Sequence, residues 1–551
     1  MYVCKIRFLL RESKRMGACN STNVTEEVDL SNHAGYSFHE NLVRQRHGRD
    51  RFNEIYEVLE QIGHGGLCTI YRIRKREESI GGFANMVARS KGRGGAVNKV
   101  LHPRKSFKRR GGSKVQTQTK NPNNNNNNSN SNNKEIHFAL KVINLALVQE
   151  DKIDQLKNEV EILKTLDHKN IIKAYETFSF RVSRTLEIVM ELCTGGDLHA
   201  RMPYSEMSAA RVLKQILSAI SYVHRRGIIH RDIKFENIMF ENTHPEAAVK
   251  VIDFGLSKNY SVENPVLTER VGTLYSMSPE TMKGHYTTKS DLWSIGVCMY
   301  MMLDDGNKPF EGKTPKQLVA KVLLGDVKFE SHHWKEISDE AKDFILSLLK
   351  VNPDDRVTAD DAMKHHWFTS RTVMSSNASV VKQDLIERVQ DGIVRYADTG
   401  EFRKLALNVI AKKSTPEEIF ELRKVFDKFD TLNTGTITLD EFKAALLRFN
   451  YSDEEIQEIY RKVDINRTNV IDYTEFLAAT LETQGAIEEY RLMECFDQMD
   501  SDDSGKNISS LVGSVVQRAF HSPHFSAFRL QGTSLERTCE IFWGNTPAKN
   551  L

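Results

Sequence analysis

The span His230-Arg-Asp-Ile-Lys-Phe-Glu-Asn237 places two carboxylates, a lysine and a carboxamide within eight residues, and Asp253-Phe-Gly255 adds another carboxylate. Carboxylates accept protons and, with amide oxygens, bind hard cations, while a lysine neutralises an oxyanion. Upstream, Lys141 ends the run Phe138-Ala-Leu-Lys141, and Glu159 sits among Ile153, Leu156, Val160 and Leu163, which recur at helical spacing. Glu159 follows Leu156 by three residues and precedes Leu163 by four, so it projects from the apolar face of its helix and needs a cation there. Downstream, Asp430, Asp464 and Asp500 open three similar acidic loops at intervals of 34 and 36 residues, an internal repeat of helix, loop and helix.

The elements that must position these residues follow from the surrounding pattern. Tyr56 to Arg74 alternates apolar residues around Gly63, Gly65 and Gly66, which reads as two strands joined by a glycine-rich turn. Ile136 to Ile143 predicts a further strand and Asp151 to Leu166 the helix that carries Glu159. More strands and a long helical region run to about Phe368. Residues 369–382, rich in Ser, Asn and Val, read as a linker. Helical stripes then return at Leu385, Val389 and Ile393, and at Leu405, Val409 and Ile410. Residues 1–50 lack any period and are expected to be a flexible arm. Between Arg72 and Lys134, sixteen Lys/Arg face only Glu77 and Glu78, and Asn123 to Asn128 form a run, so that insert is expected to be disordered.

Composition bounds the function classes. The chain has 551 residues, 40% of them hydrophobic, enough for several packed domains. A net charge of +3 gives no global sign of a nucleic-acid partner. Seven scattered cysteines without a Cys-x-x-Cys pair argue against a disulfide framework or a zinc site and fit a reducing, cytoplasmic setting. The apolar stretch Leu292 to Leu303 is too short to span a bilayer and reads as a buried core helix, while Ile6 to Leu10 is too short for a secretory signal.

The joint order of these motifs resembles the protein-kinase family. Ile62-Gly-His-Gly-Gly-Leu-Cys-Thr-Ile70 is similar to its glycine-rich loop, with Ile62, Gly63, His64, Gly65, Gly66 and Ile70 in place and Cys68 where the third glycine usually stands. The resemblance implies that Lys141 holds the phosphates of ATP and pairs with Glu159, and that Asp232 orients the substrate hydroxyl and accepts its proton. Lys234 would neutralise the transferring phosphoryl, and Asn237 and Asp253 would hold Mg2+. Phe235 replaces the usual proline, a change expected to matter little for chemistry. Ile188 to Cys193 looks like the hinge that reads adenine through its backbone, with Glu191 and Cys193 as contacts and Met190 behind the pocket. Lys234 together with Thr273 resembles the Ser/Thr branch. Asp291 would brace the catalytic loop, and Arg356 would pair with Glu280.

Each acidic loop resembles an EF-hand, which gathers oxygens at positions 1, 3, 5, 7, 9 and 12 around Ca2+. The second supplies Asp464, Asn466, Thr468, Val470, Asp472 and Glu475, with Asn469 at the bend. The first offers Asp430, Thr434, Thr436 and Glu441 but has Leu432 at position 3. The third offers Asp500, Asp502 and Ser504, then fails at Asn507 and Leu511. Kinase, linker, helical junction and EF-hands in this order resemble the calcium-dependent protein kinases of plants and protists. The expected fold is α+β: a bilobal kinase (residues 56–368, with an insert at 72–134), linker and autoinhibitory junction helices (369–413), an all-α EF-hand domain (414–510) and a tail (511–551). The resemblance implies a calcium-regulated kinase that acts as a monomer on protein Ser/Thr near basic residues, which Asp197 and Glu236 would face. Glu269 would replace an activating phosphothreonine and pair with Arg231. Met16-Gly-Ala-Cys-Asn-Ser21 matches a myristoylation signal, so a start at Met16 would allow membrane attachment through acylated Gly17 and Cys19. The polar tail leaves two readings open: a reading frame or splice pattern that departs from the ancestral one near Lys506, or a true, diverged end whose remnant hand packs against its neighbour. Two other readings stay open: a kinase whose EF-hands only pack or dock, and a pseudokinase scaffold.

Overall fold

The computed structural model describes residues 44–47, 49–65, 68–76, 136–148, 150–180, 184–259, 272–369, 382–446, 451–485, 491 and 495. Most of the basic insert, the linker at 370–381, Gly66, Glu269, the acylation signal, the third loop and the tail lie outside them.

The upper lobe is a six-stranded sheet in the order β1-β5-β6-β4-β3-β2. Its strands are β1 (Arg44–His47), β2 (Tyr56–His64), β3 (Cys68–Lys75), β4 (His137–Asn144), β5 (Ala174–Phe180) and β6 (Thr185–Met190). β3 continues to Lys75, so the first residues assigned to the basic insert belong to the sheet. β1 and the following helix α1 (Arg49–Ile55) correct the expectation of an unstructured arm up to residue 50. The four residues of β1 carry no apolar period; the strand exists because its backbone pairs in parallel with the edge of β5, from Arg44 opposite Glu176 to His47 opposite Ser179. Helix α1 buries Phe52, whose ring meets Phe178 edge-on at 5.2 Å. Helix α2 (Glu150–Thr165) follows β4 and seats Val160, Ile162 and Leu163 in the core.

The lower lobe is built on α3 (Glu206–Arg225) and α4 (Thr288–Leu303). Ser205 caps α3 by accepting from the Ser208 N–H, and a capping box between Thr287 and Ser290 starts α4. Every residue of α4 from Ser290 to Leu303 is buried; the span is apolar apart from Ser290, Asp291 and Ser294. Short antiparallel pairs frame the loops that matter: β7 (Ile228–Ile229) with β10 (Lys258–Asn259), and β8 (Ile238–Phe240) with β9 (Val249–Val251). They bracket residues 230–237 and 252–257 and hold the two motif loops side by side.

The described C-terminal part is mainly helical: α5 (Gln383–Ala397), α6 (Glu401–Lys413), α7 (Phe420–Phe429), α8 (Leu439–Leu446), α9 (Asp453–Val463) and α10 (Tyr473–Thr480). Its two loops are joined by β11 (Thr436–Ile437) and β12 (Ile471–Asp472), with Thr436 opposite Asp472. Leu385, Val389 and Ile393 of α5 are buried in one cluster with Phe426, Phe429 and Phe476, so this junction helix spends its apolar stripe on the hands. The helical part docks against the lobes through buried polar contacts. Arg423 of α7 forks onto Glu241 at 2.7 and 2.8 Å, and Lys413 lies 3.6 Å from Glu176. Among the described residues no helix is long and apolar enough to cross a membrane.

Candidate functional site

Lys141 on β4 is buried, and its ammonium donates to Glu159 Oε1 on α2 at 2.6 Å and to Asp253 Oδ1 at 3.0 Å. Burial alone would push the ammonium down, but Glu159 and Asp253 outweigh it and hold it above the usual lysine range. Burial likewise disfavours the Asp253 carboxylate, and Lys141 again wins, keeping that carboxyl below its usual range. Lys141 and Asp253 therefore stay charged, and the contacts of Lys141 with Glu159 and Asp253 tie the upper lobe to the loop at 253–255. Asp253 holds a φ of 64°, a left-handed conformation uncommon for a side-chain-bearing residue. The strained backbone aims its carboxylate across to Lys141. Gly255 leaves room for this arrangement: a Cβ there would come within 3.1 Å of Asp253 Oδ1 and 3.3 Å of Glu159 Oε2.

Asp232 is the hub of a second cluster. Its Oδ2 accepts from Lys234 Nζ at 2.7 Å and from Asn237 Nδ2 at 3.0 Å, and its Oδ1 accepts from the Thr273 hydroxyl at 2.8 Å. Lys234 Nζ also donates to Thr273 Oγ1 at 3.0 Å. The Asn237 amide nitrogen is committed to Asp232, which leaves its carbonyl oxygen as the donor for a metal. Asp291 braces the loop from α4, accepting from the backbone N–H of His230 at 3.0 Å and of Arg231 at 2.9 Å and from His224 Nε2 at 2.8 Å. Arg356 grips Glu280 with both nitrogens, at 2.8 and 3.0 Å. Phe235, in the usual place of a proline, is fully buried against His199.

The glycine-rich turn connects β2 and β3, with Gly63 opposite Ile70 and His64 opposite Thr69. Ile62 is half exposed on the cleft strand, Gly65 N–H bonds the Cys68 carbonyl at 2.8 Å, and Gly66 lies outside the described residues. At the hinge, Glu191 turns its carboxylate away, accepting from Lys250 Nζ at 2.9 Å and from the Lys173 N–H at 3.3 Å, and its own N–H donates to the Lys173 carbonyl at 2.9 Å, so of these groups only its carbonyl is left for a nucleotide. Cys193 is half-buried, and burial pushes its thiol well up.

The two described acidic loops differ. In the second, Asp464 accepts from the N–H groups of Thr468 at 3.0 Å and Asn469 at 2.9 Å, while Glu475 accepts from those of Ile465, Asn466 and Asp472. Asn469 takes the left-handed bend with φ 62°. Asp464, Asp472 and Glu475 crowd together out of water. Burial pushes the Asp464 carboxyl up to about 6, and burial with the charges of Asp472 and Asp464 drives Glu475 well above its usual range. Three buried carboxylates, with Asn466, Thr468 and the Val470 carbonyl beside them, fit Ca2+. The first loop does not fit as well. Asp430, Thr434, Thr436 and Glu441 stand as the spacing requires, but Leu432 at position 3 points to solvent, 60% exposed. Asp500, Asp502 and Ser504 lie outside the described residues.

Sequence reasoning missed Arg423, which follows Leu422 and stands three residues before Phe426 on the apolar side of α7. The signal was available, since a charge on an apolar face needs a partner, the same argument that singled out Glu159.

A lysine clamped between two carboxylates, a carboxylate held for a hydroxyl, and oxygen donors for a metal in one cleft define a protein-kinase catalytic site. The chain matches the model of the protein kinase domain over residues 127–368 and that of the EF-hand domain pair over 398–481. It is 34% identical over 381 residues to calcium-dependent protein kinase 7 of Oryza sativa, covering 68% of each chain. It is 34% identical to calcium-dependent protein kinase 5 of Plasmodium falciparum and 35% identical to calcium-dependent protein kinase 3 of Plasmodium yoelii, covering 58% and 57% of this chain. The chain belongs to the calcium-dependent protein kinase family. It spans between about half and two thirds of these relatives, 55% and 57% of the two Plasmodium proteins. A kinase domain implies ATP and Mg2+, and EF-hands imply Ca2+.

Proposed function

We propose that the chain transfers the γ-phosphoryl group of ATP to Ser or Thr of proteins under control of calcium at the second EF-hand. The observation that carries this is the convergence of Lys234, Asn237 and Thr273 on Asp232, next to the Lys141, Glu159 and Asp253 cluster. Asp232 orients the attacking hydroxyl and takes its proton, and Lys234 neutralises charge on the transferring group. Asn237 and Asp253 are the oxygen donors for Mg2+, which supplies charge neutralisation when bound. Asp464, Asn466, Thr468, Val470, Asp472 and Glu475 are the donors for Ca2+.

Regulation by the junction helix is part of the same proposal. In one state the stripe of α5 is held by the hands; in the other the released helix covers the cleft, and calcium biases the choice by differential affinity. Acidic Asp197 and Glu236 favour substrates with arginine before the phosphoacceptor. Glu236 accepts from the Tyr275 hydroxyl at 2.8 Å, which fixes it in place. Attachment to the cytoplasmic face of a membrane through Gly17 and Cys19 belongs to the proposal for a chain that starts at Met16, and mass spectrometry of the native N-terminus tests it.

The decisive test is phosphate transfer by the full chain to a basic peptide, with calcium or with chelator. Calcium should raise the rate, Asp232→Asn should abolish transfer while nucleotide still binds, and Lys141→Met should impair nucleotide use as well. Substantial turnover by Asp232→Asn would refute the assignment.

A further inference from the structure

Three consecutive residues of the kinase domain, in the turn between α2 and β5, each touch the pair of hands. Asp167 accepts from Thr474 at the start of α10, from its N–H at 2.7 Å and its hydroxyl at 2.6 Å. The His168 ring lies against the bend of the first loop. Gly435 there has a φ of +79°, and a Cβ would fall 1.9 Å from His168 Cδ2, so only glycine both adopts the bend and admits the ring. Lys169 passes over the Phe426 ring at 5.2 Å, and its ammonium pairs with Asp427 at 2.5 Å and with Asp430 Oδ2 at 3.4 Å.

Asp430 is position 1 of the first loop, the carboxylate that would begin a calcium shell. It is 0% exposed, and Lys169 is 6% exposed. The Asp430 oxygens also accept from the N–H groups of Thr434 at 2.7 Å and Gly435 at 3.0 Å. Glu441, the residue at position 12, closes its loop as Glu475 closes the second, with both oxygens accepting inside it, so this residue does not distinguish the two. One Glu441 oxygen accepts from the Leu432 N–H and the Thr431 hydroxyl, the other from the N–H and hydroxyl of Thr438. A dication in this loop would have only two carboxylates, would meet no oxygen at Leu432, and would have to displace an ammonium already seated beside Asp430.

We infer that the first EF-hand takes the ammonium of Lys169 from the kinase domain as its cation in place of calcium, and so serves as the dock that fixes the pair of hands to the turn behind α2. The loop keeps the EF-hand shape because Asp430 still organises its bend, while its charge is balanced by a tethered side chain. Docking is thereby independent of calcium at this loop, and of the two described loops the second is the one that responds to the ion. The inference does not depend on the catalytic reading.

The test uses the full chain, with calcium alone as the ligand, in native mass spectrometry and calorimetry, and amide hydrogen exchange over 166–170 and 430–436. The wild type should hold one calcium strongly, Asp430→Asn should keep it, and Asp464→Asn should lose it. Lys169→Met should leave the calcium count at one and speed exchange in both segments by about tenfold, as the contact opens. Asp427→Asn, at a half-exposed position that does not threaten folding, should move exchange in the same direction. Loss of a bound calcium in Asp430→Asn, or unchanged exchange in both Lys169→Met and Asp427→Asn, would overturn the inference. A wild type that binds no calcium would refute the assignment of the second hand and leave this one to the exchange comparison.

Discussion

The two hands share one architecture and differ in what balances their charge. Both loops bend through a left-handed residue, Gly435 in one and Asn469 in the other, and β11 and β12 zip them together. In the second, Asp464, Asp472 and Glu475 face one another, and the cation at its border is Arg226, 3.0 Å from Asp472 Oδ1. In the first, Lys169 reaches the position-1 carboxylate and Leu432 turns outward. The shape of an ion-binding loop and its occupant are therefore separate matters. Backbone amides on the first aspartate preserve the shape, and the sum of buried charge selects the cation.

The largest expected effect comes from removing the acid that defines the second hand. Asp464→Ala should weaken calcium binding by on the order of a thousandfold, about 4 kcal/mol, as read by calorimetry. Strong binding that survives would reverse the ranking of the hands.

Next in size is the buried fork that holds α7 on the kinase domain. Burial works against charge in Glu241, and Arg423 first, then Lys250, outweigh it and hold the carboxyl down to about 2. Arg423→Ala leaves that charge with Lys250 at 3.7 Å and should cost about 3 kcal/mol in urea unfolding. Adding Glu241→Gln should recover part of the loss; no recovery would mean the two residues act independently.

A smaller effect sharpens the contrast between the two lysines the kinase domain turns toward the hands. Lys169 is ion-paired, whereas Lys173 lies over the Tyr473 ring at 5.4 Å with no hydrogen-bond partner for its ammonium. Burial, helped by Lys250, pushes Lys173 down to about 8. Its folded value lies below the ordinary one near 10.5, so between these the unfolded chain binds more protons and stability rises with pH. Below pH 8 the penalty is fully present. Lys173→Met should therefore stabilise the protein by roughly 2 kcal/mol at neutral pH, with the gain fading as pH rises toward 10.5. A variant that is less stable at pH 7 would contradict this.

The smallest effect would break the comparison by design. Leu432→Asp restores the missing oxygen at position 3, yet with Lys169 in place it should add little calcium affinity. Combined with Lys169→Met it should yield a second calcium site about tenfold stronger than in Leu432→Asp alone. Equal binding in the two variants would show that Lys169 does not compete.

Much of the catalytic half was legible in its motifs. The motifs and the family resemblance they carry singled out Lys141, Glu159, Asp232, Lys234, Asn237 and Asp253, which the structure brings together, and Asp291 and Arg356, which it places on the backbone at 230–231 and on Glu280. The helical period located α2 to within one residue, and the apolar run Leu292 to Leu303 located the end of α4, whose start lies earlier, at Thr288, in a polar first turn that carries no apolar signal. Tertiary structure alone decided the rest. The strand at Arg44–His47 has no apolar pattern to betray it and forms because an edge of β5 lies open to it. Lys169 meets Asp430 across 261 residues, Arg423 meets Glu241 across 182, and Asp167 meets Thr474 across 307. No local period encodes such a meeting; a lone charge shows that it needs a partner, and only the packed chain shows which partner it finds.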